Sequence, residues 1–323
     1  MNGLKRYASV ALLLVLAACG GGDPSGQLTN TPGPQQAIVD AELKPEVVEW
    51  SGADLLSVLE QSATRIVARP AVVPSVGNPV YAATIRGLSD GLRASGMQLL
   101  IGNKNYSSWS MRPWVLMRQL GIGFEEIALR FDFSEGSPFR RTVARVSPAG
   151  RVPVLVDDGF AVWDTLAIAE YLHERFPAAG VWPEAPQARA RARTLCAEMH
   201  AGFGALRQHC PMNIEAHLPE VGRRLVAELP ELRRDLDRIG QMWGEQLAAS
   251  GGPMLFGRFS AADAFYAPVC SRIVTHALPL PEAAAAYVSR VLALPSVRAW
   301  SDAALAEHDF IAEDEPYRQP PAG

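Results

Sequence analysis

Cysteine is scarce in this chain. Among 323 residues there are four, at positions 19, 196, 210 and 270, with no close pair. That excludes a disulfide scaffold and any Cys-x-x-Cys redox or zinc motif. The six histidines are scattered without metal-ligand spacing, so no metal chemistry is expected. An excess of one charge is missing too: the net charge of −4 leaves no electrostatic footprint for nucleic acid. The apolar run at residues 10–16 is too short to span a bilayer. What remains is 48% apolar and 20% charged, ordinary for a globular protein long enough to hold two domains.

The N-terminus has its own texture. Lys5 and Arg6 precede the apolar run, and Leu16-Ala17-Ala18-Cys19 follows. A basic segment, a short apolar segment and small residues describe a secretory signal. The last four residues resemble a bacterial lipobox, in which Cys19 would be lipidated. Residues 20–36, rich in Gly, Pro, Ser, Thr and Gln, have linker composition. Up to residue 96 only one short helix, around 53–65, is expected, with little core-forming content. The expected organisation is therefore a signal over 1–19 and a poorly structured segment over 20–96. Domains follow over 97–180 and 187–310, and a tail over 311–323. Two localisations are open: the cell envelope through a lipid on Cys19, or the cytoplasm if the native chain starts near Met97.

From Met97 onward the pattern is that of a folded domain. Residues 99–101 read as a strand, followed by a polar loop, Asn103 to Ser108, and a helix over about 110–120 capped by Ser110 and stopped by Gly121. Ile127, Leu129 and Phe131 alternate with polar residues as a second strand, and a helix is plausible over 137–146. Residues 151–162 then form two apolar runs around Asp158-Gly159, a β-hairpin signal. Pro153 enters the first run, which fits only a first strand position or a turn with a cis bond. Asp164 and Thr165 open a helix whose apolar residues recur at Ile168, Leu172 and Phe176. Beyond Pro186 the pattern is helical, with helices expected over 187–209, 219–249, 260–276, 281–293 and 296–306. Ser260 and Asp263 fit a capping box, and Pro268 should kink its helix.

The Val152-Pro153 strand entry, with the acidic-hydroxyl pair Asp164-Thr165 at a helix start, resembles the glutathione site of glutathione transferases. The resemblance covers about 97–310. It implies a thioredoxin-like α/β domain followed by an all-α helical domain, with glutathione as co-substrate. It also implies that the Val152 backbone meets the cysteinyl part of glutathione, while Asp164 and Thr165 hold its γ-glutamyl end. Homodimers are usual in the family, so a homodimer is expected.

The loop Tyr106-Ser107-Ser108-Trp109-Ser110-Met111-Arg112 is similar to the Ser-Ser-x-Ser-x-Arg loop of zeta-class transferases, which include maleylacetoacetate isomerases. On that pattern Ser107 is the hydroxyl that stabilises the thiolate, with Ser108 the neighbouring candidate. Trp109 stands where beta-class members carry cysteine, which disfavours a mixed-disulfide mechanism. Arg151 is a candidate for the glycine carboxylate of glutathione, against the plainer reading of a surface arginine. Met199, Phe203 and Arg207, spaced by four, are either core or one wall of the electrophile site. The implied activity is attack of activated glutathione on a small electrophile. The alternatives are zeta-like cis–trans isomerisation and a glutathione-binding module without catalysis.

Overall fold

The computed structural model describes residues 96–319, all of which fall within one compact unit. Cys19, the linker and the helix expected at 53–65 lie outside the described residues.

The first half alternates strands and helices: β1 (Met97–Ile101), α1 (Ser108–Gln119), β2 (Glu125–Ala128) and α2 (Pro138–Val146), then β3 (Val154–Asp157), β4 (Phe160–Val162) and α3 (Thr165–Arg175). The strands form one sheet in the order β2-β1-β3-β4. β1 and β2 run parallel, as a βαβ crossover requires, and β3 is antiparallel to both β1 and β4. β1 and β3 are buried along their whole length because helices cover the central strands. Asp158 (φ 47°) and Gly159 (φ 85°) both take positive φ, the backbone of a type I′ hairpin turn.

The second strand is shorter than the alternation suggested. It stops at Ala128, and Phe131 turns instead into a cluster with Tyr106, Phe139, Val143 and Ile311. A Cβ at Gly102 would land inside the Phe131 ring, so Gly102 lets this ring close over the end of β1.

The helical half contains α4 (Pro186–Ala201), α5 (Gly204–His209), α6 (Pro219–Glu228), α7 (Pro230–Ser250), α8 (Ala261–His276), α9 (Glu282–Leu292) and α10 (Pro295–Leu305). Two helices expected as single pieces are each two. The 187–209 stretch breaks at Gly202 and Phe203, whose φ of 52° is left-handed. The 219–249 stretch breaks at Leu229, extended before Pro230, because a proline biases its predecessor away from helix. α8 is the central post, buried along nearly all of its length and packed on α1, and it runs unbroken through Pro268.

At the start of α8 the Ser260 amide donates to Asp263 Oδ2 at 2.9 Å. The Leu255 amide and the Tyr287 hydroxyl donate to Asp263 Oδ1 at 3.1 and 2.9 Å. Asp263 thus ties the helix start to the preceding loop and to α9. Residues 311–318, expected as a tail, are part of the packed structure: Ile311 is 3% exposed and Tyr317 donates to the His209 carbonyl at 2.8 Å. No described helix is long and apolar enough to cross a membrane.

Candidate functional site

The β1–α1 loop is held from two sides. Glu307, just beyond α10, accepts from the amides of Lys104 and Asn105 at 2.7 and 3.2 Å, and Trp300 Nε1 donates to the Lys104 carbonyl. Asn103 donates to Asp309 at 3.1 Å and accepts from the Phe131 amide at 2.7 Å. Tyr106 donates to Glu315 Oε1 at 2.6 Å. Burial first, then the Glu315 bond and charge, push the Tyr106 hydroxyl up, so it is a committed structural donor. Of these acidic partners, Glu307 and Asp309 fall within the expected 187–310 domain and Glu315 in the expected tail, and none of them stood out by local spacing. The available signal was an acidic run facing a polar, amide-rich loop.

The helix after this loop begins two residues earlier than expected. Ser107 is the N-cap and Ser108 the first helical residue, while Ser110 lies inside α1. Ser110 is occupied: its Oγ accepts from the Gly102 amide at 3.2 Å and from Ser107 Oγ at 2.7 Å. Ser108 is engaged differently. Its Oγ accepts from Arg272 Nη2 of α8 at 3.0 Å, which leaves the hydroxyl proton free to donate elsewhere. Ser107 and Ser108 are each 5% exposed.

Trp109 follows at the surface of this corner. The Arg112 guanidinium lies 3.7 Å from the centroid of its ring, and Arg207 lies 5.8 Å from it. The His200 ring meets Trp109 edge-on with centroids 5.1 Å apart. His200 Nε2 is also 3.3 Å from Asp164 Oδ2, so the last turn of α4 touches the start of α3. Asp164 caps α3, its Oδ1 accepting from the Leu166 amide at 3.0 Å, and Thr165 is buried beside it. The Trp163–Asp164 and Val152–Pro153 peptides are cis.

Val152 packs against the cluster that contains Tyr106, whereas Arg151 is exposed and forms none of the ion pairs found among the described residues. The α4–α5 stripe does not hold together: Met199 is core on α4, Phe203 sits in the break, and Arg207 alone reaches Trp109. His200, the residue between Met199 and Ala201, is the helical-domain contact that the spacing argument passed over.

Arg112 and Arg272 are both buried, and burial together with neighbouring guanidinium charge lowers both. Arg112 falls to about 9, with Arg272 and Arg207 adding to the desolvation, and Arg272 falls to about 10. Positive charge is thus concentrated at the N-terminus of α1, which already carries the positive end of the helix dipole.

Comparison with known proteins agrees with this layout. Residues 106–175 match the model of the glutathione S-transferase N-terminal domain and residues 186–303 that of its C-terminal domain, together more than half of the chain. A dichloromethane dehalogenase of Methylorubrum extorquens is 40% identical over 68 residues, 20% of this chain and 23% of that protein. A maleylacetoacetate isomerase of Rattus norvegicus is 31% identical over 100 residues, 31% of this chain and 46% of that protein. The matched segments thus span less than half the length of these curated relatives. A Tau-class glutathione S-transferase from Mangifera indica superposes with a TM-score of 0.50 at 18% identity, over 65% of this chain and 96% of that one, which shows the fold. With a mixed four-stranded sheet, a helical second domain and matches to both domain models, this chain belongs to the glutathione S-transferase family.

Proposed function

We propose that this protein binds glutathione in the corner between Ser108, Val152 and Asp164, and activates its thiol for attack on a small electrophile. The backbone of Val152 pairs with the cysteinyl unit. Asp164 receives the α-ammonium group, and Thr165 with the free amides at the start of α3 receives the α-carboxylate. Of the two serine candidates, Ser108 is the thiolate donor and Ser107 the helix cap.

A free thiol of pKa about 8.5 is only a few per cent thiolate at neutral pH. Lowering it by about two units takes roughly 2.7 kcal/mol of preferential thiolate stabilisation. A hydroxyl donor backed by a guanidinium, at a helix N-terminus, supplies terms of that size. The thiol proton leaves to solvent, and the sulfur lone pair forms a C–S bond as a leaving group departs with its electron pair. In the isomerase alternative the same thiolate adds to a cis double bond, the adduct rotates, and the thiolate is expelled. Relatives named as a dehalogenase and as an isomerase leave both reactions in view.

The observation that carries the reading is the Ser108 hydroxyl, whose oxygen is taken by Arg272 and whose proton is not. Turnover of a chloronitroaromatic and of maleylacetoacetate, each with glutathione, tests it. Acceleration of the first supports transfer and of the second isomerisation. Glutathione binding without either would make the protein a binding module.

A further inference from the structure

Residues 136–156 hold four arginines, Arg140, Arg141, Arg145 and Arg151, and no acidic residue, in a chain whose net charge is −4. Three of them lie on α2, whose buried residues are Phe139, Thr142 and Val143. At about 100° per residue the three arginines occupy the opposite face, about 140° wide. Arg140, Arg141 and Arg151 are exposed and Arg145 is half-buried. None of the four forms an ion pair among the described residues. Arg140 donates to the Phe133 carbonyl at 2.8 Å and Arg141 to that of Gly136. The acids nearest in sequence are Asp132 and Glu135, and Asp132 is already engaged by Ser134 and shared between the charges of Arg130 and Arg140. The face is therefore left positive.

Phe133 stands at its edge, 37% exposed. Its ring is held by Phe131 and Phe139, with centroids 5.2 and 5.9 Å away, and the Arg140 bond to its carbonyl ties it to α2. A fixed aromatic ring beside arginines on a convex helix suits a membrane interface, where the ring enters the headgroup layer and each guanidinium meets a phosphate. An acidic segment of another protein matches the charge but leaves the ring unused.

We propose that the α2 face formed by Arg140, Arg141 and Arg145, with Phe133 at its rim, docks on a membrane surface rich in anionic phospholipid. Contact of this size is weak and screened by salt, so it orients the protein against a bilayer without anchoring it. Phe139 and Val143 pack with Tyr106 in the cluster that also takes Val152, so the docked face borders the corner proposed for glutathione.

The test floats the full chain with vesicles of phosphatidylcholine alone, or mixed with phosphatidylglycerol, at rising salt. The variants are Arg141→Glu with Arg145→Glu, the milder Arg141→Gln with Arg145→Gln, and Phe133→Ser. Arg224→Glu with Arg234→Glu, on α6 and α7, is a control of equal charge change at two exposed arginines. Binding should favour phosphatidylglycerol and fall with salt. Reversal at Arg141 and Arg145 should weaken it about tenfold or more, the neutral pair and Phe133→Ser less, and the control pair hardly at all. Equal losses in the two reversals, or no preference for phosphatidylglycerol, would overturn the proposal. Phenylglyoxal labelling read by mass spectrometry makes the same test without mutation. Anionic vesicles should protect Arg140 and Arg141 and leave Arg224 and Arg234 reactive, whereas unchanged labelling of Arg140 and Arg141 would overturn the proposal. Polyglutamate is titrated alongside. Binding to it that the Arg141 and Arg145 reversal removes, with vesicle binding unchanged, would overturn the proposal and assign the face to an acidic protein.

Discussion

Arg272 Nη2 donates to Ser108 Oγ at 3.0 Å, across the boundary between the helical and sheet halves of the molecule. The bond occupies an oxygen lone pair and pulls electron density from the hydroxyl, which strengthens its remaining donor. It also couples the position of α8 to the start of α1. Replacing Arg272 with lysine keeps a charge but loses the fork that also reaches the Cys210 carbonyl. We expect Arg272→Lys to lower kcat about tenfold or more with a smaller change in the KM for glutathione. Steady-state kinetics at varied glutathione checks this.

Asp164 has two oxygens with different tasks, one capping α3 and one facing His200. Asp164→Ala should cost about 0.5–2 kcal/mol of stability as a lost cap. If the outer oxygen holds the ammonium group, the same variant should also raise the dissociation constant for glutathione about tenfold. Asp164→Ser, which keeps a cap, should recover the stability without the affinity. Thermal denaturation and calorimetric titration separate the two effects.

Burial pushes the Asp263 carboxyl up to about 6, against the opposing pull of the Leu255, Tyr287 and Ser260 donors. Its folded-state value lies above the usual 3.8, so protonation favours the fold. That stability is full below pH 3.8 and is lost as pH rises through about 6. Asp263→Asn should flatten this part of the stability profile. It should also cost about 1–3 kcal/mol, because an amide cannot accept from all of those donors. Urea denaturation at stepped pH reads both outcomes.

The segment after α10 holds the serine loop through Glu307, Asp309 and Glu315. A chain ending at residue 310 loses the Tyr106–Glu315 bond and uncovers the cluster around Ile311 and Phe131. We expect it to be destabilised by about 2–4 kcal/mol and to bind glutathione more weakly. Glu315→Gln, which keeps an acceptor for Tyr106, should lose much less.

Much of this architecture was legible from local chemistry. The Asp158-Gly159 turn, the cap at Asp164 and the buried Val154–Asp157 strand each follow from residue type and short spacing. What was missed depends on distant partners. Gly202 and Gly204 flank the break and are a stop signal, but the apolar spacing carries across them, and the left-handed φ falls on Phe203 itself, which its residue type does not announce. The start of α1 slipped by two residues because three serines offer three caps, and only the packed structure engages Ser110 with Gly102. The arginine cluster draws on α1, α5 and α8, which are far apart in sequence, and His200 lies within hydrogen-bonding range of Asp164 only after the two halves pack.

The N-terminal sequence supports a separate proposal, that Cys19 is lipidated. The full chain made in a bacterium should then fractionate with membranes, and Cys19→Ala should shift it to the soluble fraction, since several acyl chains at one cysteine anchor firmly. Soluble behaviour of both forms would remove the anchor.

The pKa of the glutathione thiol when bound, read from thiolate absorbance against pH, tests the central claim most directly. With the parent protein the value should lie about two units below the free thiol, and Ser108→Ala should return it toward about 8.5 while Ser107→Ala shifts it less. A bound thiol pKa that is the same in the parent protein and in Ser108→Ala would contradict the account.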